Sequence, residues 1–408
     1  MKRPEILAPA GNFEKMRAAI LFGADAVYLS GKIFGMRAAA DNFSIEELRE
    51  AVAYAHEREV KVYLTVNTMP RENEYPELEK YFSELKNIPV DALIIADLGV
   101  LMLARKMLPE IDIHISTQAS SVSSHDLNAW YALGAKRVVL ARELTLEEIK
   151  EIRRNIPEEL EIECFVHGSM CVSYSGRCLR SNHIVGRDAN RGMCAQPCRW
   201  DYTISGVITE NKRPDLPMPI EEINGESFIM ASRDTCMIEH VPELVEAGIN
   251  SFKIEGRMKS AYYTAVVTNT YRMALDSYFS GSYAYNPLWL RELMSVTHRE
   301  YNTGYYFTDS HTDANIASNN GYIKDKAYLG VVLEYDEITG EALCSQRKKE
   351  NVGEEAELLT PGSVGKPFIL DRLYDESHNE IEATSHPYMS FIIKPPFKVK
   401  PGDIIRAV

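Results

Sequence analysis

The chain has 408 residues, of which 45% are hydrophobic and 25% charged, and its 45 Lys+Arg against 59 Asp+Glu give a formal net charge of −14. That is a globular composition for two or three domains, and the acidic balance argues against a general nucleic-acid coat, which needs a broad cationic face. The opening MKRPEILAPAG lacks the apolar centre of a signal peptide, and the longest greasy run, ALIIADLGVLMLA, is broken by Asp97 and too short to span a bilayer; a cytoplasmic protein with no membrane association is expected.

In chain order, EILAPAG reads as a short strand ending in a Pro-Gly loop, and NFEKMRAAILFGADAVYLSG as an amphipathic helix, a glycine turn and a second strand. The unit recurs, and the helix-to-strand joints repeat as GADAVYL, GAKRVVL and AGINSFKI, each with a small residue where a helix must stop before a buried strand. Strands begin near residues 4, 25, 61, 91, 112, 137, 161 and 251. Eight strands alternating with helices predict an α/β fold, a (β/α)8 TIM-like barrel over 1–280 with a cysteine-rich insertion at 168–236. An open doubly wound sheet is the alternative, but no Gly-rich dinucleotide fingerprint follows the first strand. After a connecting segment at 281–325, short strands with turn signals predict a small all-β, barrel-like domain over 326–408.

Alternation sorts the barrel side chains. Val62, Leu64 and Val66 face the helices; Tyr63, Thr65, Asn67, His114, Ser116, Gln118, Glu163, His167, Lys253, Glu255 and Arg257 face inward. These polar groups gather toward the carboxyl ends of the strands, where barrel enzymes place their chemistry, and the cysteine stretch leaves the seventh strand at that end. Glu163 and His167 are the candidate proton-transfer groups, and Arg37, Arg177 and Arg257 the candidate anion binders.

Five of the seven cysteines lie in residues 163–199, and a sixth, Cys236, follows in SRDTC. Such thiols in a chain without secretion signals point to a metal site rather than a disulfide framework. Cys171, Cys178, Cys194, Cys198 and Cys236 compete for four places. Long gaps between them favour an iron–sulfur cluster over structural zinc, although zinc and plain buried thiols stay open. Cys164 lies on the apolar side of its strand and reads as packing. Between Gly168 and Trp200 the cations Arg177, Arg180, Arg187, Arg191 and Arg199 face Asp188 alone, a locally basic stretch suited to an anion.

At residues 163–181 the sequence resembles the signature of the collagenase-like peptidase family U32: Glu163, Phe165, Gly168-Ser169, Cys171, Gly176, Cys178 and Ser181 stand where that pattern wants them, and Arg180 departs from it. LAPAG near the start, RDANRG before Cys194 and KIEGRMKS at 253–260 extend the likeness over the barrel. The resemblance implies an oxygen-independent hydroxylase carrying a [4Fe-4S] cluster on four cysteines. A β-domain tail is similar to the branch that makes 5-hydroxyuridine at the tRNA wobble position with prephenate, a small dicarboxylate, as co-substrate. A peptidase, and a hydroxylase of another RNA or of a quinone precursor, are the alternatives. A peptidase would need a nucleophile and base such as Cys171 with His167, and the chain has neither an H-E-x-x-H helix nor a G-x-S-x-G elbow.

Overall fold

The computed structural model describes the chain except residues 1, 38–39, 172, 175–177, 200–207, 211–212, 219–221, 224–225, 228–231, 282, 309–322 and 324–325. Its first part alternates β1 (Glu5–Pro9), α1 (Phe13–Leu21), β2 (Ala26–Ser30), α2 (Ile45–His56), β3 (Lys61–Val66), α3 (Tyr75–Leu85), β4 (Ala92–Ile95), α4 (Leu98–Met107), β5 (Asp112–Ile115), α5 (Ser124–Ala132), β6 (Arg137–Val139), α6 (Leu146–Arg154) and β7 (Glu161–Ser169). Then comes an insertion with α7 (Arg180–Val185) and two antiparallel pairs, β8 (Ile208–Glu210) with β9 (Arg213–Met218), and β10 (Glu222–Ile223) with β11 (Glu226–Ser227). The polar, Pro-rich run TENKRPDLPMPIEE at 209–222, whose composition reads as a surface excursion, therefore contributes to antiparallel strand pairs. The chain returns through β12 (Asp234–Cys236), α8 (Val241–Glu246) and β13 (Ser251–Ile254).

Strand β13 pairs in parallel with both β1 and β7, so eight parallel strands close the predicted barrel. The predicted starting points fall within one residue of the observed ones. Helix starts are set locally: Ser44 and Thr145 form reciprocal capping boxes with Glu47 and Glu148, and Asn12, Asp97 and Ser260 each accept a backbone N–H of the first turn. The glycine joints work as expected, with Gly23, Gly134 and Gly248 at φ 98°, 94° and 77°.

Packing follows the alternation. Val62, Leu64 and Val66 join the large core between strands and helices, while Leu7, Ala26, Tyr28, Tyr63, Ala92 and Ile94 form a separate core inside the barrel. Among the described residues no helix is long and apolar enough to cross a membrane.

After α9 (Ala261–Phe279) the connecting segment holds α10 (Pro287–Met294), capped by Asn286, and β14 (Tyr301–Asn302). The remainder is an eight-stranded antiparallel half-barrel with its own core: β15 (Tyr328–Asp336), β16 (Glu341–Gln346), β17 (Glu355–Leu359), β18 (Lys366–Ile369), β19 (Leu373–Tyr374), β20 (Glu380–Ile381), β21 (Ser390–Ile393) and β22 (Ile404–Ala407). It docks on α9 and α10 through charge. Buried Arg406 donates to Glu292 of α10 at 2.7 Å and to Glu357 of β17 at 2.8 Å, and Lys326 pairs with Glu357 at 2.6 Å.

Candidate active site at the barrel mouth

The carboxyl ends of the strands carry a cluster built around Glu255, which directly follows β13. Its carboxylate accepts from Tyr28 Oη at 3.1 Å and pairs with Arg37 Nη2 at 3.3 Å. Burial alone would raise the Glu255 carboxyl, but Arg37, Arg142 and Arg257 outweigh it and hold the group below the usual range. The same Glu255 raises Arg37, while burial pushes the Tyr28 phenol well up. Three guanidiniums thus surround one carboxylate and leave the mouth cationic.

Arg257 is the member with capacity to spare. It is 2% exposed, and Nη1 donates to Thr65 Oγ1 at 3.0 Å, yet Nε and Nη2 meet no partner among the described residues. Burial and the Arg37 cation lower it to about 10, still protonated at neutral pH. A buried cation with two nitrogens whose N–H bonds go undonated is costly unless something supplies acceptors, and a carboxylate does so in the geometry of the fork.

The two proton-transfer candidates do not share a face. Glu163 lies inside the barrel below the mouth, held by Lys253 Nζ at 2.6 Å and Arg137 Nη1 at 3.2 Å. His167 packs outside the wall, among Tyr263 and Tyr271 of α9 and Tyr301 of β14, with Nε2 3.3 Å from Tyr301 Oη. The inward orientation read from alternation is therefore corrected. The register between β7 and β13 shifts so that Lys253 faces Phe165 and Ile254 faces His167, a bulge that turns Val166 and His167 to the same side. Burial drives His167 down to about 3, so it is a neutral imidazole.

The cysteine segment lies against the mouth. Arg191 reaches Glu74 at 2.9 Å and the Met69 carbonyl at 3.1 Å, and a Cβ on Gly192 (φ 79°) would come within 2.9 Å of the Gly35 carbonyl. The loops after β2 and β3 thus seat residues 188–194. Cys194 lies near enough to Arg37 to contribute to its field, and its sulfur accepts the Gln196 N–H at 3.4 Å. Cys171 and Cys178 bracket the start of the insertion, and Cys198 sits in a 3-10 turn over Pro197–Arg199. Cys236 stands apart: β12 runs antiparallel to the end of β7, and burial beside Tyr271 pushes its thiol up to about 12. Arg177 lies outside the described residues.

None of the seven cysteines is joined in a disulfide among the described residues. Among the described residues no three His, Cys, Asp or Glu side chains converge as a metal cage. The donor chemistry of Cys171, Cys178, Cys194 and Cys198, with an N–H already aimed at one sulfur, nevertheless fits a thiolate-bound group. Cys164 packs in the outer core, as its place in the alternation predicts. Sequence reasoning missed Tyr28 and Arg142 as mouth residues. Arg142 lies just past β6, and its Nη1 donates to the Ser169 carbonyl at 2.8 Å.

A parallel barrel with a cluster of guanidiniums at its carboxyl mouth and a thiol-rich insertion against it defines a class of TIM-like protein. The particular family follows from comparison: residues 11–316 match the model of peptidase family U32 and residues 324–406 that of the family's C-terminal domain, and the chain belongs to this family. It is 35% identical over 412 residues to tRNA hydroxylation protein P1 of Bacillus subtilis, covering 99% of this chain and 95% of that one. It is 37% identical over 275 residues to the 23S rRNA 5-hydroxycytidine C2501 synthase of Escherichia coli, covering 67% and 40%. A collagenase of Porphyromonas gingivalis is 30% identical over 412 residues, covering 98% and 96%.

Proposed function

We propose that this protein is an RNA hydroxylase that modifies tRNA, forming 5-hydroxyuridine at the wobble position, with a small dicarboxylate, prephenate, as co-substrate. The observation that carries the reading is Arg257, whose two unpartnered nitrogens sit in a mouth where three guanidiniums face one carboxylate. A dicarboxylate satisfies both the charge and the donors. RNA as the target is supported by relatives named for tRNA and rRNA hydroxylation, one of them matched over nearly the whole chain. A wobble base lies in a single-stranded loop and can be splayed out into a barrel mouth.

In this reading Cys171, Cys178, Cys236 and one or both of Cys194 and Cys198 would hold a [4Fe-4S] cluster, which supplies redox or Lewis-acid chemistry when bound. Cysteines outside disulfides suit a cytoplasmic setting. The chain's own residues do the rest. Arg257 and Arg37 orient the dicarboxylate, Thr65 fixes one edge of the Arg257 fork, and Tyr28, bonded to Glu255, keeps a neutral hydroxyl at the mouth, while Glu163 is engaged by Lys253 and Arg137.

The collagenase relative favours a second reading, a peptidase. The dyad it would use is not assembled, since His167 faces α9 and meets Tyr301. Deleting the gene and analysing tRNA nucleosides by mass spectrometry decides between them: loss of 5-hydroxyuridine and its derivatives is expected. An unchanged profile without a redundant paralogue defeats the tRNA assignment.

A further inference from the structure

We propose that two adjoining turns of the C-terminal half-barrel, Arg347–Lys349 and His386–Tyr388, form a docking platform for single-stranded nucleotides beside the target base; the proposal rests on the RNA-hydroxylase reading above. Three observations carry it.

The first is position. Arg347 Nη2 pairs with Glu14 Oε1 at 3.0 Å, in the first turn of α1, and the next residue, Lys15, donates from Nζ to the Arg257 carbonyl at 3.2 Å. Tyr328 of β15 stacks on Tyr262 of α9 at 5.4 Å and 15°. Both α1 and α9 begin at the carboxyl end of the barrel, so the half-barrel is fixed at the rim of the mouth, and a strand entering the mouth can run onto these turns.

The second is charge. Arg347-Lys348-Lys349 is the longest run of consecutive cations in a chain of net charge −14. Lys348 and Lys349 are exposed, and their acidic neighbour Glu354 is tied to the Asn351 N–H and side chain at 3.1 and 2.6 Å. A local cationic strip on an acidic molecule concentrates a polyanion there and repels it elsewhere.

The third is an aromatic face. Tyr388 is 70% exposed and adopts φ 62°, a conformation that bulky residues rarely take. The Met389 N–H bonded to the His386 carbonyl at 3.0 Å closes its turn, and the Gln346 N–H bonded to the Met389 carbonyl at 2.9 Å ties that turn to the cationic one. The Arg347 guanidinium lies 4.8 Å from the Tyr388 ring centroid. An outward ring beside contiguous cations is the arrangement that stacks bases and tracks phosphates without reading sequence. A peptide partner would leave the row of cations without matching anions, whereas RNA supplies one at every nucleotide.

The test is binding of an unmodified tRNA transcript to the full chain by fluorescence anisotropy across a salt series. Tyr388→Ala is expected to weaken binding about 5-fold or more, the loss of one base stack. Lys348→Gln with Lys349→Gln should lower the slope of log affinity against log salt by about two. Tyr388→Trp and the paired Lys→Arg variant should keep wild-type behaviour. Wild-type affinity and slope in the Ala and Gln variants, in a protein that still binds and hydroxylates tRNA, overturns the platform and leaves the proposed function standing. A loss equally large in the Trp and Arg variants means structural damage and also overturns it. A wild-type chain that binds no tRNA overturns both.

Discussion

Arg137 and Arg257 are equally buried, 3% and 2% exposed, at opposite ends of one barrel, and their partners differ completely. Arg137, at the amino end, is enclosed by carboxylates: it bonds Glu5, Glu161 at 2.9 Å through Nε and Glu163 at 3.2 Å, while Ser251 and Tyr63 add donors to Glu5 at 3.0 and 2.9 Å. Arg257, at the carboxyl end, has one side-chain partner and two idle nitrogens. Burial therefore does not separate a structural arginine from a functional one in this fold; hydrogen-bond satisfaction does. The amino end is a closed ionic layer and the carboxyl end is a layer left open.

The sharpest way to break that contrast is Arg137→Met, which leaves three carboxylates facing one another in the barrel. A loss of about 3–5 kcal/mol is expected in denaturant unfolding, because removing one side of a buried ion network strands the other. Unchanged stability would mean that the layer is solvated. Arg257→Ala should do the converse. Calorimetric titration with prephenate should show affinity weakened by about 1.5–3 kcal/mol, while stability changes far less than in Arg137→Met, since Thr65 is the one side-chain partner lost and Nε and Nη2 had none among the described residues.

Glu350 offers a third case, a buried carboxyl in the half-barrel whose two oxygens meet no partner among the described residues. Burial, with Glu354 adding to it, pushes the group up to about 8. A raised carboxyl binds its proton more tightly when folded, so its effect on stability is most favourable at acid pH and is lost as pH climbs from the ordinary carboxyl range through about 8. The slope is at most about 1.4 kcal/mol per pH unit, and Glu350→Gln should flatten it in thermal melts. The smallest effect belongs to Cys164→Ala, about 1 kcal/mol of packing with anaerobic iron content intact, against loss of iron in Cys171→Ala or Cys178→Ala. Iron lost from the Cys164 variant would show a thiol of the outer core serving the mouth.

What the sequence could disclose tracks the range of the interaction. Strand starts and the split between Val62, Leu64, Val66 and Tyr63, Thr65 are written in local periodicity, and they stand as read. The face of His167 is not, because the bulge arises from pairing with β13, far along the chain. Nor could the sequence say which mouth arginine is already engaged: Arg37 and Arg257 read alike until Glu255 takes Arg37 at 3.3 Å and leaves Arg257 with idle donors. Helix α10 is signalled by Asn286 and Pro287 at its start, a local cue inside a segment whose loop-like composition otherwise reads as a connection.

The insertion between β7 and β13 also bears on how such a protein can diversify. Gathering the ends of a long excursion costs chain entropy that grows only with the logarithm of its length, about 0.6 kcal/mol per doubling. The two ends are clamped independently of its contents, since β13 is zipped to β1 on one side and to β7 on the other. Residues at that position can be lengthened, shortened or exchanged for a different ligand-bearing module at little thermodynamic expense, while the scaffold beneath keeps its shape.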